Sequence, residues 1–370
     1  MTKSFDVCVR GDGVVGRTLA LLMAKERLKV ALVTAPGKPA ATAADVRAYA
    51  LNSSSRQLLS GLRVWPGESF ATPVQTMQVW GDDGGLINFN AQAAGQEALT
   101  WIVDVHELEL QLLQACGYQG LIEVVSETVA APLSIICEGK KSSSRDDKNT
   151  QWTRKPYAQK AIAARVVSDV PHGGSARQWF TDQGEVLALL PMDGANGNSM
   201  ALVWSVDDDH AARLETIPEA EFCALLAATS QHSVGNMRLI SPRASWPLAL
   251  GSADRWVGPG WVLAGDAAHT VHPLAGQGLN LGLADAATLC QVLAAREYWR
   301  GLGDEKLLRR YERARKAEVA AVGAVTDGLQ LLFSQTQPGW QSLRNWGMNG
   351  FAASQPLKNW LTKRAAGSTF

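Results

Sequence analysis

The sequence carries no net charge: 35 Lys and Arg are balanced by 35 Asp and Glu over 370 residues. With no global field to recruit a polyanion, nucleic acid is not an expected partner. Cysteine pairing is missing too. Cys8, Cys116, Cys137, Cys223 and Cys290 are scattered without a C-x-x-C spacing and read as reduced core thiols. No apolar run reaches transmembrane length and no signal peptide is read before the first strand, so a cytoplasmic location is expected. The G-x-S-x-G elbow is absent, which argues against Ser-His-Asp hydrolysis. No internal repeat or low-complexity tract stands out. At 46% hydrophobic residues, what remains is a globular chain long enough for two domains or one large α/β unit.

What is present is concentrated near residue 265. A buried-looking strand, Trp261-Val262-Leu263-Ala264, runs into Gly265-Asp266-Ala267-Ala268-His269. Pro273-Leu274-Ala275-Gly276-Gln277-Gly278-Leu279-Asn280-Leu281-Gly282 follows. Glycines at 276 and 278 let backbone approach a flat ligand closely. The apolar-periodic helix from about Leu279 to Leu293 then aims its first-turn N–H groups at the crevice. Ordinary strand-to-helix punctuation does not need so many glycines and an aspartate in one run.

A second nucleotide signal lies at the other end. Phe5–Val9 reads as a strand, followed by Gly11-Asp12-Gly13-Val14-Val15-Gly16, a helix-periodic run from Thr18 to Glu26, and a second strand, Lys29–Val33. This is the context a G-x-G-x-x-G fingerprint requires: Gly11 for the tight turn, Gly13 to admit a pyrophosphate, Gly16 for close helix packing. The acidic residue that usually holds a ribose hydroxyl is missing; Thr34 stands at the end of the second strand instead.

Together these motifs resemble the single-component FAD-dependent aromatic hydroxylases, and more narrowly the ubiquinone-biosynthesis hydroxylases of the UbiH, UbiF and Coq6 type. The resemblance runs in order from about residue 5 to 367. It includes Arg47-Ala48-Tyr49-Ala50-Leu51-Asn52-Ser53, Gly61–Trp65, Tyr157–Ile162, Pro171-His172-Gly173-Gly174-Ser175-Ala176, Leu190-Pro191-Met192, Trp246-Pro247-Leu248 and Leu308–Arg315. It implies an α/β fold: a Rossmann-like, glutathione-reductase-like FAD-binding domain interleaved with a β-sheet substrate domain, then C-terminal helices. The expected boundaries are 1–70, 101–150 and 246–303 for FAD binding, 71–100 and 151–245 for substrate, and 304–370 for a helical region.

The resemblance further implies FAD as cofactor, NADPH or NADH as reductant, and a polyprenylated phenol as substrate. The reaction it implies is ring hydroxylation by O2 through a C4a-hydroperoxide of the reduced flavin, in ubiquinone biosynthesis. The protein then has to orient the phenol, exclude water and stabilise flavin charge. Cofactor contacts fall on Gly11, Gly13, Val14, Val15, Gly16, Thr34, Arg47, Gly265, Asp266, Ala275, Gly278, Leu279 and Asn280. Asp266 inherits a ribityl contact and Arg47 a pyrophosphate contact, the alternative for Arg47 being a surface arginine in a turn. Pro273 and Gly276 shape the flavin face, and no side-chain nucleophile is expected. Asp266, His269 and His272 have a metal-like spacing, but the resemblance favours packing roles, and His172 could be only a strand-end histidine.

The sequence departs from the family in four places. Glu138-Gly139-Lys140-Lys141-Ser142-Ser143-Ser144-Arg145 matches a D-G-x-x-S-x-x-R element that touches flavin and assists NAD(P)H, with glutamate for aspartate. Its bland alternative is a basic, serine-rich surface turn, and Lys140 to Lys155 as a whole reads as a solvated connection. Only residues 126–132 separate the Val124-Val125 strand from Leu133–Cys137, too few for a hairpin of strands about 5 or 6 residues long, so the adenosine side of the FAD domain reads as trimmed. His106 stands where an arginine is common, and Thr34 replaces the ribose carboxylate.

Beyond residue 328 there is no Asp or Glu, while Arg344, Lys358, Lys363 and Arg364 alternate with Trp340, Trp346, Phe351 and Trp360. Such a segment suits peripheral contact with the inner membrane or with other ubiquinone-biosynthesis proteins, and equally a terminal helix on the core. Three readings therefore stand: an active FAD monooxygenase, an accessory scaffold of the same fold that has lost catalysis, and a flavoprotein reductase.

Overall fold

The computed structural model describes residues 4–34, 45–81, 85–181, 183–271 and 277–334, with side chains as far as 323. The helices in it are α1 (Val14–Lys25), α2 (Ser53–Gly61), α3 (Val105–Tyr118), α4 (Ser143–Asp146), α5 (Asp208–Thr216), α6 (Glu219–Thr229), α7 (Gln277–Ala294) and α8 (Glu305–Ser334).

Three sheets organise them. The first has six strands in the order Val257–Gly258, Trp261–Leu263, Leu133–Ile136, Val7–Arg10, Val30–Val33 and Ile122–Val125. All its pairings are parallel except Val257–Gly258 with Trp261–Leu263. Covered parallel strands are apolar on both faces, and Val7, Cys8, Val9, Val30, Ala31, Ile135 and Ile136 are all fully buried. Helices α1, α3 and α7 share this core with Tyr311 of α8.

The second sheet has nine strands and is built around the 17-residue strand Trp152–Ser168, which pairs with Ser199–Asp207 on one side and Ala244–Ala253 on the other. Its residues alternate between two cores, as the two-residue repeat of a strand dictates. Met200, Leu202, Trp204 and Val206 face α5 and α6, whereas Ala201 joins Val74, Ile102, Ala176 and Met192 on the other face. A small third sheet, Ala48–Leu51, Thr100–Asp104 and Ala71–Val74, meets that second face.

Several expectations meet a different outcome. The 71–100 stretch, expected whole in the substrate domain, divides between two sheets: Ala71–Val74 belongs to the small sheet and Thr76–Trp80 to the large one, with Gln75 donating its N–H to Gly174 O at 2.8 Å between them. The boundary expected at 245/246 falls inside the Ala244–Ala253 strand, all of which lies in the large sheet. The stretch from Lys140 to Lys155 is not simply solvated. Ser142, Ser144 and Arg145 are buried, because Glu138 and the Trp152 ring supply partners that water would otherwise provide. Of the cysteines, only Cys8 and Cys116 are core thiols; Cys137, Cys223 and Cys290 are half-buried, and all five are free.

Residues 126–132 contain no strand; they cross from one edge of the parallel sheet to Leu133–Ile136. The C-terminal tail from 335 onward, including Trp340, Trp346 and Trp360, lies outside the described residues, as do His272, Pro273, Ala275 and Gly276.

Candidate active site

Gly11 has φ +114, and a Cβ there would stand 2.5 Å from Cys137 O, so only glycine fits this turn. At Gly16 a Cβ would lie 1.8 Å from Gly11 O, which is why α1 can start directly under the loop. Gly13 differs: nothing lies within 4 Å of its Cβ direction. It is also the N-cap of α1 and has no side-chain cap, so the first-turn amides are left for an outside acceptor.

The late motif comes to the same place. Gly265 (φ +61) and Gly282 of α7 both pack on Val15, with virtual Cβ contacts to Val15 Cγ2 of 3.4 and 2.7 Å. Two motifs some 250 residues apart in sequence thus share one valine. Val14 is buried, Leu279 is partly buried against the same core, and Gly278 faces open space. Asn280 is buried and fixes the start of α7: its Oδ1 accepts from Asn52 N at 3.0 Å and Ser55 Oγ at 2.8 Å, and its Nδ2 donates to Ala50 O at 2.8 Å.

Behind the loop lies a buried ion network that motif reading did not find. Asp285, fully buried on α7, accepts from Gly265 N at 2.8 Å, pairs with His269 Nε2 at 2.7 Å and takes Arg315 Nε at 2.7 Å. Burial alone would raise the Asp285 carboxyl, but His269 and Arg315 outweigh it and hold the carboxyl below its usual range. His269 is stacked on Trp256 at 4.9 Å and committed to Asp285, so it packs rather than ligates. The available signal was a charge on an apolar stripe: Asp285 lies in register with buried Leu281, Leu289 and Leu293, and Arg315 with Leu308 and Tyr311.

Asp266 follows Gly265 in the same turn and is only partly exposed. Burial raises its carboxyl above the ordinary range, with Lys140, His269 and Arg47 pulling the other way. Arg47 is held by Asp45, Nε to Oδ1 at 2.9 Å and Nη2 to Oδ2 at 2.5 Å, with Glu109 at 3.7 Å. Its half-exposed guanidinium reaches Tyr49 OH at 3.4 Å. Arg17 lies 3.6 Å from Asp12. Thr34 bonds through its backbone, N–H to Val125 O at 3.0 Å. His106, at the start of α3, keeps a buried Nδ1 that has no partner among the described residues.

Glu138 is fully employed. It accepts from Arg10 Nε at 3.2 Å, Ser142 Oγ at 2.9 Å, Ser144 N at 3.3 Å and Ser144 Oγ. Arg145 lies over Trp152 at 4.1 Å and reaches Ala267 O at 3.5 Å, so this element abuts the Gly265-Asp266 loop. His172 is structural: its Nδ1 accepts from Gly174 N–H at 3.0 Å and its Nε2 faces Met192 O at 2.8 Å. Burial lowers its pKa and keeps it neutral.

An uncapped α1 terminus under Gly13, with open space at Gly13 and Gly278, is the cradle a dinucleotide flavin needs, and the residues fit FAD. A sequence profile for the FAD binding domain matches residues 118–326. The ubiquinone hydroxylase UbiL of Rhodospirillum rubrum is 30% identical over 99% of this chain and 90% of its own length. The chain belongs to the FAD-dependent hydroxylase family of ubiquinone biosynthesis. Another family member, the 3-demethoxyubiquinol 3-hydroxylase of Escherichia coli, is 29% identical over 98% of both chains. Among solved structures, the family fold is matched by PqsL, a probable FAD-dependent monooxygenase from Pseudomonas aeruginosa, at TM-score 0.77 and 18% identity over 94% of this chain and 100% of that one. The p-nitrophenol 4-monooxygenase PnpA from Pseudomonas putida matches at TM-score 0.77 and 15% identity over the whole of both chains. No helix among the described residues is long and apolar enough to cross a membrane.

Proposed function

We propose that this protein is an FAD-dependent monooxygenase that hydroxylates the ring of a polyprenylated phenol in ubiquinone biosynthesis. The observation that carries the reading is Val15 of the fingerprint helix, against which both Gly265 and Gly282 of α7 close. Bound FAD, reduced by NADPH or NADH, supplies the oxygen-activating chemistry. The chain's own residues do the rest. The α1 amides and Arg47 neutralise the pyrophosphate, Asp266 takes a ribityl hydroxyl, and the first turn of α7 at Leu279 and Asn280 offers N–H groups to a developing negative charge.

Val74, Ile102, Ala176 and Met192 form a buried apolar cluster where the small sheet meets the large one, a rigid support for a site that has to exclude water. Complementation of hydroxylase-deficient bacteria, with quinone intermediates identified by mass spectrometry, tests the activity and gives the ring position. Restored quinone supports the reading; an unchanged intermediate profile overturns it.

A second reading, an accessory protein with impaired catalysis, is favoured by three observations. Arg47 is engaged by Asp45 and Glu109, Thr34 stands where the resemblance expects a carboxylate, and residues 126–132 contain no strand. Purified protein that is colourless and gains no FAD on titration selects it. Contact with the membrane or with other proteins of the pathway belongs to the 335–370 tail, tested by liposome flotation of Trp346→Ala and Trp360→Ala variants.

A further inference from the structure

Arg165 lies toward the end of the long strand Trp152–Ser168, directly across from Ala201. Residues opposite each other in a ladder share a face of the sheet, and Ala201 packs with Val74, Ile102, Ala176 and Met192. Arg165 is therefore a cation on the apolar face that meets the small sheet, its side chain only 13% exposed. Burial lowers its pKa, while Asp104, Asp193 and Asp45 pull the other way.

The partners of this cation lie beside the cofactor residues. One atom, Arg165 Nη2, donates to Arg47 O at 2.8 Å and to Asp104 Oδ2 at 3.0 Å. The two acceptors are neighbours because Ala48, next to Arg47, pairs with Asp104 in the small sheet. Arg47 N–H bonds locally, to Asp45 Oδ1 at 3.0 Å, whereas its carbonyl is fixed from another sheet by Arg165. Asp104 also caps α3, its Oδ1 accepting from Glu107 N at 3.2 Å. Glu109 of that helix lies 3.7 Å from Arg47 Nη2, and its carbonyl accepts from Arg17 Nη1 at 3.2 Å. Arg17 reaches Asp12 of the fingerprint turn at 3.6 Å. One chain of polar contacts thus runs from the large sheet to Arg47 and on to the fingerprint.

We propose that Arg165 is a positioning residue for the cofactor: by holding Arg47 O against Asp104, it sets the place from which the Arg47 guanidinium meets the FAD pyrophosphate. The inference rests on the reading of Arg47 as a pyrophosphate contact, and Arg165 acts through Arg47 rather than on the cofactor itself.

The test is a double-mutant cycle on FAD affinity, measured by flavin fluorescence as FAD is titrated into the full-length apoprotein. Arg165→Met is expected to weaken FAD about fivefold in the native background. In an Arg47→Ala background the same change is expected to alter affinity by less than about twofold, since the side chain through which it acts is gone. Arg165→Lys runs the same cycle if the methionine variant does not fold: it keeps a charge near Asp104, and its shorter side chain is not expected to hold Arg47 O. A loss of affinity that persists in full in the Arg47→Ala background overturns the proposal alone, because it marks a general structural role. Native-like FAD binding by Arg165→Met overturns it as well. Native-like binding by Arg47→Ala overturns both the proposal and the reading of Arg47 beneath it.

Discussion

Gly282 of α7 lies so close to Val15 of α1 that a Cβ added to it would stand 2.7 Å from Val15 Cγ2. Valine is stiff at χ1 and has little room to swing away. This approach seats the late helix against the fingerprint helix and brings Gly265 over the same side chain. Gly282→Ala is expected to cost about 1–3 kcal/mol as overpacking and to weaken FAD binding by moving α7 away from Gly13. Thermal unfolding and quenching of flavin fluorescence measure the two effects; a variant with unchanged Tm and affinity would refute this role of the contact.

Asp285 holds Arg315, His269 and the Gly265 amide at once. Asp285→Asn leaves the Arg315 charge buried without its main partner, an expected loss of about 3–5 kcal/mol. The pH dependence has a definite sign. The folded carboxyl lies below its unfolded value near 3.8, so its contribution is complete above that pH and is lost as pH falls through the lower, folded value. Denaturant midpoints measured from pH 6 downward should therefore drop in the native protein, and the Asn variant should lack this part of the drop.

Asp266 is raised, mainly by burial, which is the opposite case. A carboxyl that prefers to be protonated when folded destabilises the protein as pH rises from its unfolded value through its folded one. Asp266→Asn should thus raise the Tm of the FAD-free protein at neutral pH, with the gain vanishing at acid pH, while weakening FAD. Stability and ligand affinity moving in opposite directions is the signature of a binding residue. Equal loss of both would argue for a packing role.

Arg47 is expected to contribute a charge-assisted contact to the pyrophosphate, so Arg47→Ala should weaken FAD about tenfold or more. Asp45→Asn loosens the grip that Asp45 has on the guanidinium and should bind FAD as well as the native protein or better. Calorimetric titration of the two variants checks the pair. Weaker FAD binding by Asp45→Asn would mean that Asp45 orients Arg47 instead of competing for it.

Glu138 uses its full length to reach Arg10 as well as Ser142 and Ser144. Shortening it to the family's aspartate, Glu138→Asp, is expected to lose the Arg10 contact and about 1 kcal/mol of stability. A Tm that rises instead would show that the longer side chain is strained in its place.

The fingerprint and α7 were legible because their signals are local. Glycine at 11 and 16 answers to backbone geometry within a few residues, and the apolar stripe of α7 repeats with helical period. The small sheet was hidden for the opposite reason. Ala71–Val74 and Thr76–Trp80 look continuous, and only their partners at Thr100–Asp104 and Ser175–Phe180 separate them. Likewise the charges around Arg145 read as a solvated run, because composition records the charge but not the Glu138 carboxylate and Trp152 ring that let it be buried. Asp285 and Arg315 were visible as charges on apolar stripes, yet nothing local pairs two residues on different helices.

The sequence by itself determined the family, the two glycine turns and the helices that start from them, since these depend on backbone freedom and periodicity within short windows. Only the tertiary structure decided that Val15 is shared by both motifs, that Asp285 ties Gly265 to Arg315, and that Arg47 is held by Asp45 and Glu109. Those outcomes depend on burial and on charges from distant segments, and a carboxylate or guanidinium takes its strength from whatever neighbours the fold puts beside it.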